Sequence, residues 1–86
     1  MDATFGDRPG YAEAVAEERV KAQAAREIYD SRQAAGLSQK QLADLVGTHQ
    51  SVIARLENAD YDGHTLTMLN RIAAALGKRV EVRFVA

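Results

Sequence analysis

Cysteine is absent from this chain, and proline occurs once, at Pro9. Without cysteine, neither a disulfide framework nor a thiolate metal site can form. No apolar run is long enough to span a membrane, and the start lacks the basic-then-apolar layout of a signal peptide, so a cytoplasmic protein is expected. There is no glycine-rich phosphate cradle. Ser31, Ser38, His49 and His64 offer no base held by a third group, so the expectation is a protein without catalytic residues, not an enzyme. Asp60, Asp62 and His64 share one short loop, where such residues read as solvated turn positions rather than metal ligands, and no cofactor is expected.

At 86 residues the chain is one small domain. Its core is thin enough that a second copy or another partner is expected to add stability. The formal net charge of -1 hides an uneven distribution. Residues 1–31 carry 4 basic against 7 acidic side chains, a net of -3, and residues 32–86 carry 7 against 5, a net of +2. This favours a weakly basic, nucleic-acid-facing part joined to an acidic appendage suited to a basic partner.

Most of the functional information lies between Leu37 and Asn58. Ser38 is placed to cap a helix, with Gln41 three residues on completing a capping box. Gly47 ends that helix by taking positive φ, and Thr48 is the expected N-cap of the next. Leu42, Ala43 and Val46 line one face of the first helix, Ile53 and Leu56 the matching face of the second. Ala43 sits where the helices cross most closely, which calls for a small side chain. His49, Gln50, Ser51, Ala54 and Arg55 are left facing outward. Two short helices in this relation make a helix-turn-helix, whose second helix enters the major groove of DNA.

Other segments frame this unit. Residues 1–10, with two glycines and the proline, read as a flexible tail. From Tyr11 to about Ala35 the chain is rich in Ala, Glu, Arg and Gln without an internal Gly or Pro, which predicts one continuous helix stopped by Gly36. Tyr11, Val15, Ala24, Ile28 and Ala35 are its candidate apolar seam. Residues 11–24 extend past what a minimal helix-turn-helix domain, residues 25–77, requires, and form a candidate partner-binding arm. Thr65 is expected to cap a helix running to Leu76, burying Leu66, Leu69, Ile72, Ala73 and Leu76, with Gly77 as the stop. Over residues 78–86 the period changes to two: Val80, Val82 and Phe84 alternate with charged residues, the pattern of a half-buried strand. Nothing else in the chain reads as its partner, so pairing with the same strand of a second copy is expected. A two-fold dimer would set two recognition helices on a palindromic operator.

From Gln39 through Ala43 and Gly47 to Ile53, Leu56, Glu57 and Asn58, the stretch resembles the helix-turn-helix of the Xre, or lambdoid phage repressor-like, family. The resemblance implies an all-α, lambda repressor-like bundle of four to five helices, here with a long N-terminal helix and one C-terminal β-strand used for dimerisation. It also implies an ion pair between Arg32 and Glu57, and a role for Gln39 in binding a backbone phosphate and steadying Gln50. Donor and acceptor chemistry supplies the other roles. Gln50 and Arg55 are the expected base readers, with Ser51 and His49 as weaker ones. Lys40, with Ser38 and Thr48 at helix starts and Asn58, completes the phosphate-facing set. Relatives are often basic where this chain has Asp60 and Asp62, and the departure points to modest DNA affinity.

The whole layout is similar to antitoxins of the HigA type. That similarity implies a homodimer that represses its own operon and neutralises a small basic toxin resembling the RelE-like messenger-RNA endonucleases. Tyr11, Glu13, Glu17 and Glu18 are then the candidate toxin-facing residues. A stand-alone regulator, or an interaction module with weak DNA binding, are the alternatives.

Overall fold

The computed structural model describes residues 11–86, with side chains from Ala14 onward. The tail expected over residues 1–10, and the side chains of Tyr11 and Glu13, lie outside the described residues. Four helices are formed among them: α1 (Tyr11–Ala34), α2 (Gln39–Val46), α3 (Gln50–Leu56) and α4 (Leu66–Ala75). None is long and apolar enough to cross a membrane.

The 24-residue α1 is continuous, as its composition predicts, and ends at Gly36 with φ 71°. Its inward stripe agrees with the expected seam at Ile28, and at Ala24, which is half-buried, and differs from it elsewhere. Ala25, Ile28 and Arg32 are buried and Lys21 is half-buried, whereas Val15 and Ala35 are exposed. Lys21, Ala25, Ile28 and Arg32 recur at the spacing of one helical face. Two of the four are cations, so a search for apolar periodicity could not register the stripe. Each cation has an acidic partner elsewhere in the chain: Lys21 Nζ lies 2.6 Å from Asp62, and Arg32 Nε lies 2.7 Å from Glu57.

The core is Ile28, Leu42, Ala43, Val46, Ile53, Leu56 and Ile72, with Leu42, Ile53 and Leu56 essentially sealed from solvent. It joins α2 to α3, α2 to α4, and α1 to α3. Residues 14–20 of α1 are exposed and lie beyond this core. Along α4, Met68, Leu69, Ile72, Ala75 and Leu76 pack inward. Leu66 does not, and is 62% exposed. At 3.6 residues per turn it stands about 120° around the helix from Ile72, out of phase with the core face. Thr65 does cap α4, its hydroxyl accepting from the Met68 amide at 3.1 Å.

The C-terminal segment corrects a further expectation. No strand forms over residues 78–86 in the single chain. Val80 is half-buried, but Val82 and Phe84 are 65% and 99% exposed. A strand's amides and carbonyls need a neighbouring strand, and the helical body of this chain offers none. Lys78 is tied back by its side chain, which donates to Ser31 Oγ at 3.2 Å.

Candidate nucleic-acid interface

The turn between α2 and α3 is built by local chemistry that the sequence displays. Ser38 Oγ accepts from the Gln41 amide at 3.0 Å while Gln41 Oε1 accepts from the Ser38 amide at 2.8 Å, closing the capping box. At the other end Gly47 adopts φ 85°, a left-handed conformation in which a Cβ would be strained. The amides of Gly47 and Thr48 both donate to Ala43 O, at 2.8 and 2.9 Å. Thr48 therefore belongs to the exit from α2 and is not the N-cap of α3. His49 holds that place, with extended backbone (φ -97°, ψ 151°), and its side chain makes no capping bond.

Two contacts that no sequence pattern announced brace the ends of α2 and α3. Arg71 of α4 donates to Val46 O at 2.8 Å, satisfying a carbonyl left over at the end of α2. At the end of α3, His64 Nε2 lies 2.6 Å from Leu56 O, with the Tyr61 ring edge-on to the imidazole. A Cβ on Gly63 would overlap the Tyr61 ring, which would have to shift to admit it. His64 and Asp62 are thus engaged in structural contacts. Among the described residues no cluster of three acidic or histidine side chains is gathered that could hold a metal.

The outward face carries the residues expected to read DNA. His49, Gln50, Ser51, Ala54 and Arg55 are all exposed. Lys40 is exposed too, with Asp44 one turn on at 3.5 Å. Two of the expected phosphate contacts already serve the fold. Ser38 Oγ is engaged in the capping box, and Asn58 Oδ1 accepts from the Asp60 amide at 2.8 Å to close the turn after α3. Glu17 and Glu18 are exposed on the overhanging part of α1, where Glu18 lies 2.6 Å from Lys21.

Behind this face stands the Arg32–Glu57 pair. Arg32 Nε and Nη2 donate to the two Glu57 oxygens at 2.7 and 3.0 Å, and Nη1 donates to Leu37 O at 2.9 Å. The side chains are 8% and 5% exposed, so the pair is a buried one. Its hydrogen bonds raise the Arg32 pKa above its ordinary value, against the opposing pull of burial. The guanidinium also lies 5.4 Å from the centre of the Tyr29 ring. Glu57 accepts a further bond from Gln39 Nε2 at 3.1 Å, and Gln39 Oε1 accepts from Gln50 Nε2 at 3.5 Å. Gln39 thus lies between Glu57 and Gln50, with a Gln39–Glu57 bond that sequence reasoning missed.

The acidic loop is partly neutralised from within. Lys21 contacts both Asp62 and Glu18, each at 2.6 Å. Asp62 first, then Glu18, pushes the Lys21 ammonium above its ordinary range, while Lys21 holds the Asp62 carboxyl below its own.

Comparison with known proteins matches residues 9–84 to a family model described as a helix-turn-helix domain. A protein of Haemophilus influenzae named as an uncharacterized HTH-type transcriptional regulator is 36% identical over 70 residues, covering 81% of this chain and 70% of the relative. A chain from a solved structure titled as a toxin-antitoxin module from Streptococcus pneumoniae superposes with a TM-score of 0.67 at 27% identity, covering 100% of this chain and 97% of that one.

Proposed function

We infer its action from one premise: the chain belongs to the family of helix-turn-helix domains. It is a DNA-binding transcription regulator. The observation that carries this reading is the exposed set His49, Gln50, Ser51, Ala54 and Arg55, held on a short helix whose rear is anchored by the buried Arg32–Glu57 pair. Gln50 and Arg55 read base edges, with Ser51 and His49 beside them, while Lys40 and Gln39 meet backbone phosphate. The DNA is a palindromic double-stranded operator bound by a homodimer. Two copies join through residues 79–86, where Val82 and Phe84 are exposed. Apolar side chains of this size left in water favour association.

The regulator is the antitoxin of a toxin–antitoxin operon, acting in the cytoplasm on its own promoter. Two observations support this: the likeness to a chain of a toxin-antitoxin module along its whole length, and the acidic overhang of α1. A small basic toxin of the RelE-like kind binds there, with Glu17 and Glu18 facing its basic surface.

The test is a salt titration of binding to the DNA upstream of its own gene, with and without the neighbouring gene product. Expected are a footprint with two-fold symmetry, affinity that falls steeply with salt, and a complex with the neighbour that survives gel filtration. Symmetric DNA binding without any complex would leave a stand-alone regulator. Salt-independent or undetectable DNA binding would refute the regulatory reading. Val82→Asp with Phe84→Asp is expected to yield monomers by sedimentation; a dimer unchanged by both would rule out the C-terminal contact.

A further inference from the structure

Lys21 stands on the inward stripe of α1 with its side chain only 18% exposed. Its ammonium lies between two carboxylates, Glu18 of its own helix and Asp62 of the loop before α4, each at 2.6 Å. A lysine stem can lie along a packed surface and deliver its charge at a distance. Here it reaches a segment that has no cation of its own. Between Asn58 and Thr65 the chain carries Asp60 and Asp62 and neither lysine nor arginine. His64 is turned inward to Leu56 O, whereas Asp60 and Asp62 are exposed. Among the described residues, Lys21 is the cation paired with this loop.

The loop leaves the C-terminal end of α3, and Asn58 comes only three residues after Arg55. The major groove is about 12 Å wide and is bounded on both sides by phosphates. A helix of seven residues is about 10 Å long, so a chain leaving its end passes beside a phosphate ridge. Charges act over about 10 Å at 0.1 M salt, and carboxylates at that distance repel the backbone. We propose that Lys21, without touching DNA, sets how strongly the chain binds it, by cancelling charge that the Asp60–Asp62 loop turns toward the phosphates. Glu18, Lys21 and Asp62 together carry one net negative charge. Removing the lysine charge doubles it, and removing the Asp62 charge abolishes it. A lysine that only tied the loop in place would act differently, because loss of either partner would then loosen the same contact. The inference rests on the DNA-binding reading above and concerns the strength of binding, not its sequence preference.

The full-length chain is compared with Lys21→Met, Lys21→Arg, Asp62→Asn and the double variant Lys21→Met with Asp62→Asn, each first checked for folding by thermal unfolding. All are titrated with a mixed-sequence duplex and with the DNA upstream of the protein's own gene, from about 0.05 to about 0.5 M salt. A unit charge about 10 Å from a phosphate in water changes binding about twofold before screening, and a loop beside the ridge faces several phosphates. Lys21→Met is therefore expected to weaken binding to both duplexes alike, by roughly 2- to 5-fold for each bound copy at the lowest salt, fading at the highest. Asp62→Asn should tighten binding by a similar factor. The double variant should return to the wild-type affinity, and Lys21→Arg, which keeps the charge, should stay near it. Weaker binding by Asp62→Asn would show a mechanical tie and overturns the proposal, as does a Lys21→Met affinity equal to wild type at the lowest salt. If Lys21→Met does not fold, the sign of the Asp62→Asn effect decides alone. Absence of salt-dependent binding by every chain, wild type included, would place the failure in the DNA-binding reading, and the proposal would fall with it.

Discussion

Removing Glu57 should cost this small domain a large part of its stability, and the burial of its partner is the reason. Exposed ion pairs contribute about 0–1 kcal/mol, because water and salt already satisfy both charges. Arg32 and Glu57 are 8% and 5% exposed, which places them in the other regime. In Glu57→Ala the guanidinium keeps one of its hydrogen bonds described above, that to Leu37 O, and remains an unpaired cation in the core. Breaking one side of a buried pair costs about 3–5 kcal/mol, against a total of about 5–15 kcal/mol for a typical domain. For a chain of this size each kcal/mol corresponds to a Tm shift of about 4–8 °C, so a fall of at least about 12 °C is expected in thermal unfolding followed by circular dichroism. Replacing both residues by methionine removes the two charges together and should be much milder, because no uncompensated charge is left behind. The reasoning is refuted if Glu57→Ala lowers Tm by less than about 4 °C, or if the double variant is as unstable as the single one.

Three other expectations follow from the same contacts. Gly47→Ala should cost about 1–2 kcal/mol in urea titration, the strain of φ 85° alone, since the added Cβ meets only Arg71 Nη2 at an ordinary 3.6 Å; a neutral result would contradict the left-handed turn. Lys40→Ala should weaken binding to every duplex alike and reduce the slope of log K against log salt by about one, so a loss confined to one sequence would show that Lys40 reads a base. The Lys21–Asp62 contribution to stability should be flat through neutral pH. The carboxyl is held below its ordinary pKa, so its share is present above that value and lost as pH falls through the lowered one; the ammonium is raised, so its share is present below the ordinary lysine value and lost only as pH rises through the raised one. If the stability difference between the wild-type chain and Asp62→Asn varied between about pH 5 and 9, the pair would not be the cause.

The helix-turn-helix was legible because its signals are local. Ser38 with Gln41, Gly47, and the burial of Leu42, Ala43, Val46, Ile53 and Leu56 all follow from spacings of three or four residues. The Arg32–Glu57 pair came from family resemblance, since no rule of spacing relates residues 25 positions apart. Misreadings arose where local preference met a longer-range fact. Thr48 has a good N-cap side chain, but its amide is claimed by Ala43 O and the helix starts one residue later. Leu66 is apolar and helical, but its phase faces it away from Ile72. Val80, Val82 and Phe84 alternate like a strand, but the pattern encodes a face and not a partner.

The sequence by itself thus determined where helices begin and stop, to within one residue at the start of α3, which residues form the core of the reading unit, and which of that unit's side chains face outward. Caps, glycine turns and hydrophobic period act within one or two helical turns, so they are written contiguously in the chain. Only the tertiary structure decided what stands behind those outward side chains. Lys21 meets Asp62 across 41 positions, Arg71 reaches Val46 across 25, and Gln39 finds Glu57 across 18. A polar side chain shows that it needs a partner, and packing alone selects which one it gets.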